Sequence, residues 1–189
     1  MTRIIGGVAG SLKLASPAKS TRPTSDRIRE SIFSRLESRG AIEEARTLDL
    51  YAGTGALALE ALSRGAKSAF LVEKDGKAAA VCIQNANTIQ RALEKQGVEV
   101  FVKVINKAVS AFLANDSAEY DLVFIDPPYE IENSQIESEL ESLLPRLSKD
   151  AVIIVERSSR SEELNFPAGY EFEEKKNYGD TVVSWLVKN

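Results

Sequence analysis

The chain of 189 residues contains no histidine. This absence excludes Ser-His and Cys-His nucleophiles, acid–base catalysis by imidazole, and metal sites with histidine ligands. The single cysteine, Cys82, cannot form an internal disulfide, and its apolar neighbours predict a buried side chain on a helix. Any chemistry must therefore use other groups, and we expect no bound metal.

Long apolar runs are also missing. No segment approaches the roughly 20 apolar residues that cross a bilayer, and the first residues lack the apolar stretch of a signal peptide. The length, with 43% hydrophobic and 28% charged residues, is that of one globular domain. We therefore expect a single cytoplasmic domain over residues 1–189 that does not contact membranes. Since neither coiled-coil heptads nor an additional apolar stripe is visible, we expect a monomer.

The charge is unevenly distributed along the chain. The net charge of −4 argues weakly against a nucleic-acid partner, but residues 1–35 carry seven basic and two acidic residues, so this part is +5 and the remainder −9. We divide the chain into a basic N-terminal extension, residues 1–40, and a core, residues 41–189. The cations of the extension that we expect to contact RNA are Arg3, Lys13, Lys19, Arg22, Arg27 and Arg29.

Short apolar runs alternate with helical patterns, which is typical of βαβ units and a mainly parallel sheet. The runs predict strands at 47–51, 68–73, 98–105, 120–125 and 151–156, and helices at 56–64, 76–95, 107–115 and 134–147. Residues 170–176 and 181–187 flank Gly179-Asp180, which predicts a β-hairpin with a glycine-first turn. In the extension, residues 3–14 predict a small hairpin, and Thr24-Ser25 can cap a helix. The acids at 130–141 predict a solvated helix face.

A glycine loop joins the first predicted strand to the next helix. Gly53-x-Gly55-x-x-Ala58 matches a relaxed dinucleotide fingerprint, and Glu73, at the end of the second strand, has the spacing of a ribose-hydroxyl acceptor. A nicotinamide dinucleotide and S-adenosylmethionine both present such a ribose. Asp49, just before the loop, would repel a pyrophosphate but tolerate a cationic sulfonium. The loop therefore favours S-adenosylmethionine.

The motif Asp126-Pro127-Pro128-Tyr129 directly follows the fourth predicted strand, at the sheet edge where ligands bind in open α/β folds. Two prolines stiffen the backbone, so the Pro127 carbonyl and the Asp126 carboxylate can accept both N–H groups of an exocyclic amine. This would aim the nitrogen lone pair at a methyl donor, which is catalysis by orientation. Tyr129 offers a face on which a base can stack.

With these motifs in register, the chain resembles the RsmD family of class I S-adenosylmethionine-dependent N-methyltransferases, which act on N2 of guanine 966 in 16S ribosomal RNA. Residues 21–33, 49–66 and 178–181 strengthen the resemblance. It implies a Rossmann-like α/β fold with a mostly parallel seven-stranded sheet, helices on both faces, a C-terminal antiparallel hairpin and a small N-terminal hairpin and helix. The implied partner is 16S rRNA or an assembly intermediate of the small ribosomal subunit.

The resemblance also implies roles for individual residues. Asp126, Pro127, Pro128 and Tyr129 would hold the guanine amine, and residues 22–29 would close over the cofactor or meet RNA. Glu73 would bind the ribose, and Asn106 would lie near the adenine. The full cofactor-binding set is Asp49, Ala52, Gly53, Gly55, Glu73, Lys74, Asn106 and Thr24.

Other functions remain open at this point. An amino methyltransferase acting on adenine N6 or on a protein amide uses related motifs, and a non-catalytic RNA-binding module could retain the same fold. A nicotinamide-dependent oxidoreductase is a more distant alternative.

Overall fold

The computed structural model describes residues 2–16 and 25–189 of the chain. The predictions for Lys19, Arg22 and Thr24 therefore lie outside the described residues. The helices are α1 (Asp26–Ser38), α2 (Ala56–Ser63), α3 (Gly76–Glu94), α4 (Val109–Leu113) and α5 (Asn133–Leu143). The strands are β1 (Arg46–Leu50), β2 (Ser68–Val72), β3 (Phe101–Ile105), β4 (Tyr120–Ile125), β5 (Leu147–Ser158), β6 (Tyr170–Tyr178) and β7 (Thr181–Lys188).

These strands form one sheet in the order β3-β2-β1-β4-β5-β7-β6. Strands β1 to β5 pair in parallel, whereas β7 is antiparallel to both β5 and β6. Gly179, with φ of +64°, is the first residue of the turn between β6 and β7, as predicted. Helices α1, α2 and α3 cover one face of the sheet, and α4 and α5 cover the other. The predicted fold class is confirmed.

Three predicted boundaries differ from the structure by three residues or more, for local reasons. The helix predicted to reach residue 147 ends at Leu143, because Pro145 has no N–H to donate to the preceding turn. A short 3₁₀ turn follows, and β5 starts at Leu147, four residues earlier than predicted. Residues 98–100 belong to the connection after α3 and not to β3. The chain leaves the helix through Gly97, with φ of +76°, and the Val98 N–H donates to the Leu93 carbonyl at 3.0 Å.

The N-terminal hairpin packs against α2. Arg3 and Lys13 form an antiparallel bridge, and the fully buried Glu60 carboxylate of α2 accepts the N–H groups of Ile5 and Gly6 at 2.7 and 2.8 Å. Ile4 of the hairpin and the apolar residues of α1 share one hydrophobic core with α2 and α3. The described part of the extension is therefore packed onto the core, on the face of the sheet that carries α2 and α3.

Of the helices in the described parts of the chain, none is long and apolar enough to span a membrane.

Candidate active site

A cavity of about 380 Å³ opens where the parallel strands end. Leu50 of β1 lies opposite Val72 of β2 and Ile125 of β4, so the residues that follow these strands emerge at one edge. The cavity volume is within the range of small-molecule sites, about 300–1,000 Å³. The predicted site residues that line it are Asp49, Ala52, Gly53, Glu73, Lys74, Asp126, Pro127, Pro128 and Tyr129.

The two glycines of the loop have different surroundings. Both need a left-handed backbone, with φ of +54° at Gly53 and +81° at Gly55. A Cβ atom at Gly53 would meet nothing within 4 Å, whereas one at Gly55 would lie 2.8 Å from Leu71 Cδ2 and 3.0 Å from Cys82 Sγ. Gly53 therefore leaves space in the cavity, and Gly55 allows close packing beneath it. Gly55 is not among the residues that line the cavity.

Cys82 is fully buried on α3, as predicted, and burial raises the pKa of its thiol. This environment is that of an inert core residue.

Glu73 connects the loops that follow β1 and β2. Its Oε2 accepts the Gly53 N–H and its Oε1 accepts the Asp75 N–H, both at 2.8 Å. Asn106 donates its side-chain amide to the carbonyls of Glu73 at 2.8 Å and Lys74 at 3.0 Å. Asn106 is exposed and is not among the residues that line the cavity, so its contact with the adenine stays a prediction. It positions the residues that follow β2.

Asp49 is 1% exposed at the cavity wall. Its Oδ2 accepts the Ala58 N–H at 3.2 Å, while Oδ1 has no hydrogen-bond partner among the described residues. Burial raises the pKa of Asp49 to about 8, and the charges of Asp126 and Glu73 act in the same direction. A cationic ligand in this cavity would favour the ionised form of Asp49 and so lower this pKa.

The motif at residues 126–129 forms another part of the cavity wall. Asp126 follows β4 directly, Pro127 is buried, and a turn after the prolines is closed by the Ile131 N–H, which donates to the Pro128 carbonyl at 3.1 Å. The Tyr129 side chain lines the cavity and is 61% exposed. The wall thus presents an acid, a rigid backbone and an accessible aromatic face.

A polar network supports this wall from the α5 side. Tyr51, in the left-handed region with φ of +67°, donates to Glu139 Oε2 at 2.6 Å, and Gln135 donates to Glu139 Oε1 at 3.0 Å. Arg157 of β5 donates to the Ile131 carbonyl at 2.9 Å and to Asn133 Oδ1 at 3.0 Å. The prediction of a solvated acidic face is wrong for Glu139, which is 3% exposed, because it faces Tyr51.

Asn85 of α3, absent from the sequence predictions, joins the glycine loop to the N-terminal extension. Its Oδ1 accepts the Ala15 N–H at 2.8 Å, and its amide donates to the Ala15 carbonyl at 3.0 Å and the Thr54 carbonyl at 2.9 Å. Asn85 is 2% exposed, and both hydrogens of its side-chain amide are used in these bonds. The only sequence signal is a polar residue on the apolar face of an amphipathic helix.

The predicted RNA-contacting cations differ in exposure. Arg3, Lys13 and Arg27 are exposed, and the bridge between Arg3 and Lys13 puts two cations side by side on the hairpin. Arg29 is 1% exposed and lines the cavity, so it is not available to RNA at the surface, and we remove it from that set. Arg35, counted in the basic extension, is neutralised by Glu173 and Glu174 of β6.

Comparison with known proteins agrees with this architecture. The family described as "Conserved hypothetical protein 95" matches residues 2–187. Ribosomal RNA small subunit methyltransferase D of Escherichia coli (strain K12) is 34% identical over 183 residues, which are 95% of this chain and 86% of the relative. The putative rRNA methyltransferase YlbH of Bacillus subtilis is 30% identical over 188 residues, covering 100% of this chain and 99% of YlbH.

A solved structure, the putative methyltransferase yhhF from Escherichia coli, is 32% identical and superposes with a TM-score of 0.82 over 98% of this chain and 97% of that one. Sheet order, cavity and sequence similarity thus lead to one assignment. The chain belongs to the RsmD family of S-adenosylmethionine-dependent methyltransferases with the class I fold.

Proposed function

We propose that this protein transfers a methyl group from S-adenosylmethionine to the exocyclic N2 amine of a guanine in 16S ribosomal RNA, in the cytoplasm, during assembly of the small subunit. The observation that carries the proposal is that one cavity is lined by the glycine loop, Glu73 and the motif at residues 126–129. The names of the relatives support an rRNA substrate of the small subunit.

The residues present fit this cofactor. Glu73 has lone pairs beyond the two N–H groups that it already accepts, so it can also take a ribose hydroxyl. The open space at Gly53 lets a ligand approach the backbone, and the acids of the wall suit a cationic sulfonium. A pyrophosphate would be repelled by the same acids, which disfavours the dinucleotide alternative.

The chemistry of the transfer demands orientation more than proton abstraction. S-adenosylmethionine, when bound, supplies an activated methyl group and leaves as a neutral thioether. The Asp126 carboxylate and the Pro127 carbonyl accept the two amine hydrogens, so the nitrogen lone pair is directed at the methyl carbon. As the N–C bond forms and the C–S bond breaks, Asp126 stabilises the positive charge on nitrogen, and the proton then leaves to water.

The remaining part of the site would hold the base and its RNA. Tyr129 lines the cavity and is largely exposed, so it provides a stacking face for a guanine that has left its helix or loop. Arg3, Lys13 and Arg27 provide exposed cations for phosphates near that opening, and Lys19 and Arg22 of the same extension remain part of this proposal.

The decisive test is methyl transfer to small-subunit particles from cells that lack this methylation. With S-adenosylmethionine labelled in the methyl group, digestion to nucleosides should give label in N2-methylguanosine. Label in N6-methyladenosine would reject the guanine assignment. RNA binding without transfer to any ribosomal precursor would instead support the non-catalytic module.

A variant tests the role of Asp126 in the same assay. Asp126→Ala should abolish turnover and leave the affinity for S-adenosylmethionine within a few fold, because its proposed contact is with the amine. Loss of turnover and cofactor affinity together would mean that Asp126 belongs to the cofactor site.

A further inference from the structure

Arg29 is a buried cation in the wall of the cavity. It lies near the start of α1, is 1% exposed, and shares the wall with Ser25 and Ile28 of the same segment. Its Nη2 donates to the Arg3 carbonyl at 2.9 Å and to Asp26 Oδ1 at 2.7 Å. The hairpin and the first turn of α1 therefore fix one edge of the guanidinium group.

The rest of the guanidinium lacks partners. Both Nε and Nη1 are buried and make no hydrogen bond to the described residues. A buried charged donor without an acceptor is strongly unfavourable, so such groups are rare unless a ligand completes them. These two N–H groups do not share an edge of the guanidinium, because Cδ lies between them, so each would donate to a separate ligand oxygen. A buried cation favours an anionic acceptor such as a carboxylate.

A second group in the same cavity also has an unused hydrogen-bonding atom. Asp49 Oδ1 is buried and without a hydrogen bond among residues 2–16 and 25–189. A ligand with a carboxylate and an ammonium fits this pair, because the carboxylate can accept from Arg29 and the ammonium would favour the ionised form of Asp49. The amino-acid end of S-adenosylmethionine is such a group, with an ammonium and a carboxylate on one carbon.

We propose that Arg29 binds the carboxylate of the methionine moiety of S-adenosylmethionine. The inference rests on the cofactor of the proposed function, but not on the identity of the base or the RNA. It assigns Arg29 to cofactor binding in place of the RNA contact expected from its sequence. It also explains why the extension is packed onto the core, since the Arg3 carbonyl holds the guanidinium in place.

Arg157 is the alternative cation at this cavity. Its Nε and Nη1 are likewise buried and unpartnered. However, its Nη2 holds the loop that precedes α5, on the face of the sheet opposite to α1 and α2. Arg29 lies on the face that carries the glycine-loop helix α2, which is why we assign the carboxylate to it.

The test compares two ligands that differ only in the carboxylate: S-adenosylmethionine and decarboxylated S-adenosylmethionine. Calorimetric titration of the full chain, without RNA, gives the Kd of each ligand. The quantity compared is the Kd of decarboxylated S-adenosylmethionine divided by the Kd of S-adenosylmethionine. Since charged hydrogen bonds are worth about ten- to a hundredfold in affinity, replacing Arg29 should lower this ratio by that factor. Arg29→Met should bind the decarboxylated compound within about threefold of wild type, and Arg29→Lys should retain part of the ratio.

Three controls keep the outcome clear. Arg91→Met, at an exposed arginine of α3, should leave the ratio unchanged. Thermal melting reports whether Arg29→Met folds. If it does not, Arg29→Gln, which is also uncharged, takes its place. The ratio measured for Arg29→Lys, which keeps the charge, serves as an independent comparison.

The proposal is overturned if the folded Arg29 variants keep the wild-type ratio, or if Arg157→Met lowers it instead. Such a result leaves the methyl-transfer assay untouched, so it is separate from a failure of the proposed function. Conversely, label in a base other than guanine would reject that function and leave the role of Arg29 standing. Binding of neither ligand would overturn the cofactor itself.

Discussion

Replacing Gly55 with alanine should destabilise the protein through both backbone and packing. At φ of +81° an L-residue pays about 1–2 kcal/mol for the left-handed conformation. The added Cβ would lie 2.8 Å from Leu71 Cδ2, 3.0 Å from Cys82 Sγ and 3.2 Å from Leu59 Cδ1, so these core side chains must shift. Overpacking of this kind costs about 1–3 kcal/mol. We expect Gly55→Ala to lose about 2–5 kcal/mol of unfolding free energy.

Gly53→Ala is a matched control. It carries the same chemical change two residues away, at φ of +54°, but its Cβ would meet nothing within 4 Å. Only the backbone cost of about 1–2 kcal/mol remains. The entropy lost by the unfolded chain is the same for both variants and cancels in their difference. Urea denaturation followed by circular dichroism should therefore show Gly55→Ala to be the less stable variant by about 1–3 kcal/mol.

The order should reverse for cofactor binding. The methyl group of Gly53→Ala extends into space at the cavity wall, so this variant should bind S-adenosylmethionine more weakly than Gly55→Ala does, measured by calorimetry. Equal destabilisation by the two substitutions, or weaker binding by Gly55→Ala, would refute the division of the loop into an open glycine and a packed one.

Three further outcomes are expected. Asp49→Asn should be more stable than wild type at pH 8, and its advantage in urea denaturation should shrink as the pH falls toward 4. The reason is that the folded-state pKa of Asp49 is raised to about 8, so between these pH values the carboxyl ionises in the unfolded chain but stays protonated in the folded one; an advantage independent of pH would contradict this. Asn85→Ala should lose about 3 kcal/mol in the same assay, because it leaves Ala15 and Thr54 groups unpaired, whereas the exposed Asn87→Ala should change little. Tyr129→Ala should lower kcat/KM for small-subunit particles about 5- to 150-fold through lost stacking, while Tyr129→Phe should stay near wild type; equal losses would mean that the hydroxyl matters.

Most of the fold could be predicted because it depends on local patterns. Short apolar runs separated by helical ones determine parallel strands, and Gly179-Asp180 determines a hairpin turn. The errors occurred where a local signal competed with the periodicity. The spacing of the leucines predicted a helix to residue 147, but Pro145 ends it earlier. The turn at Gly97 delays the start of β3 to Phe101.

That the glycine loop, Glu73 and the motif at residues 126–129 lie at one cavity could also be predicted, because each follows a strand directly. In a parallel sheet the ends of β1, β2 and β4 meet at one edge, so three short motifs far apart in the chain become neighbours. By contrast, the roles of buried polar residues were not readable. Glu60, Asn85 and Glu139 occur on helices where the same residue types usually face solvent, and only their packing partners show that each is enclosed.

Arg29 illustrates what the sequence determines and what only the tertiary structure determines. The sequence alone predicted an α/β methyltransferase and the positions of its glycine loop, of Glu73 and of the motif at residues 126–129, because these signals are contiguous or have fixed spacing. Whether a cation of the basic extension faces RNA or the cofactor depends on which side of α1 meets the core. The tertiary structure buries Arg29 in the cavity wall and leaves Arg27 exposed, since neighbouring residues of one helix point in different directions.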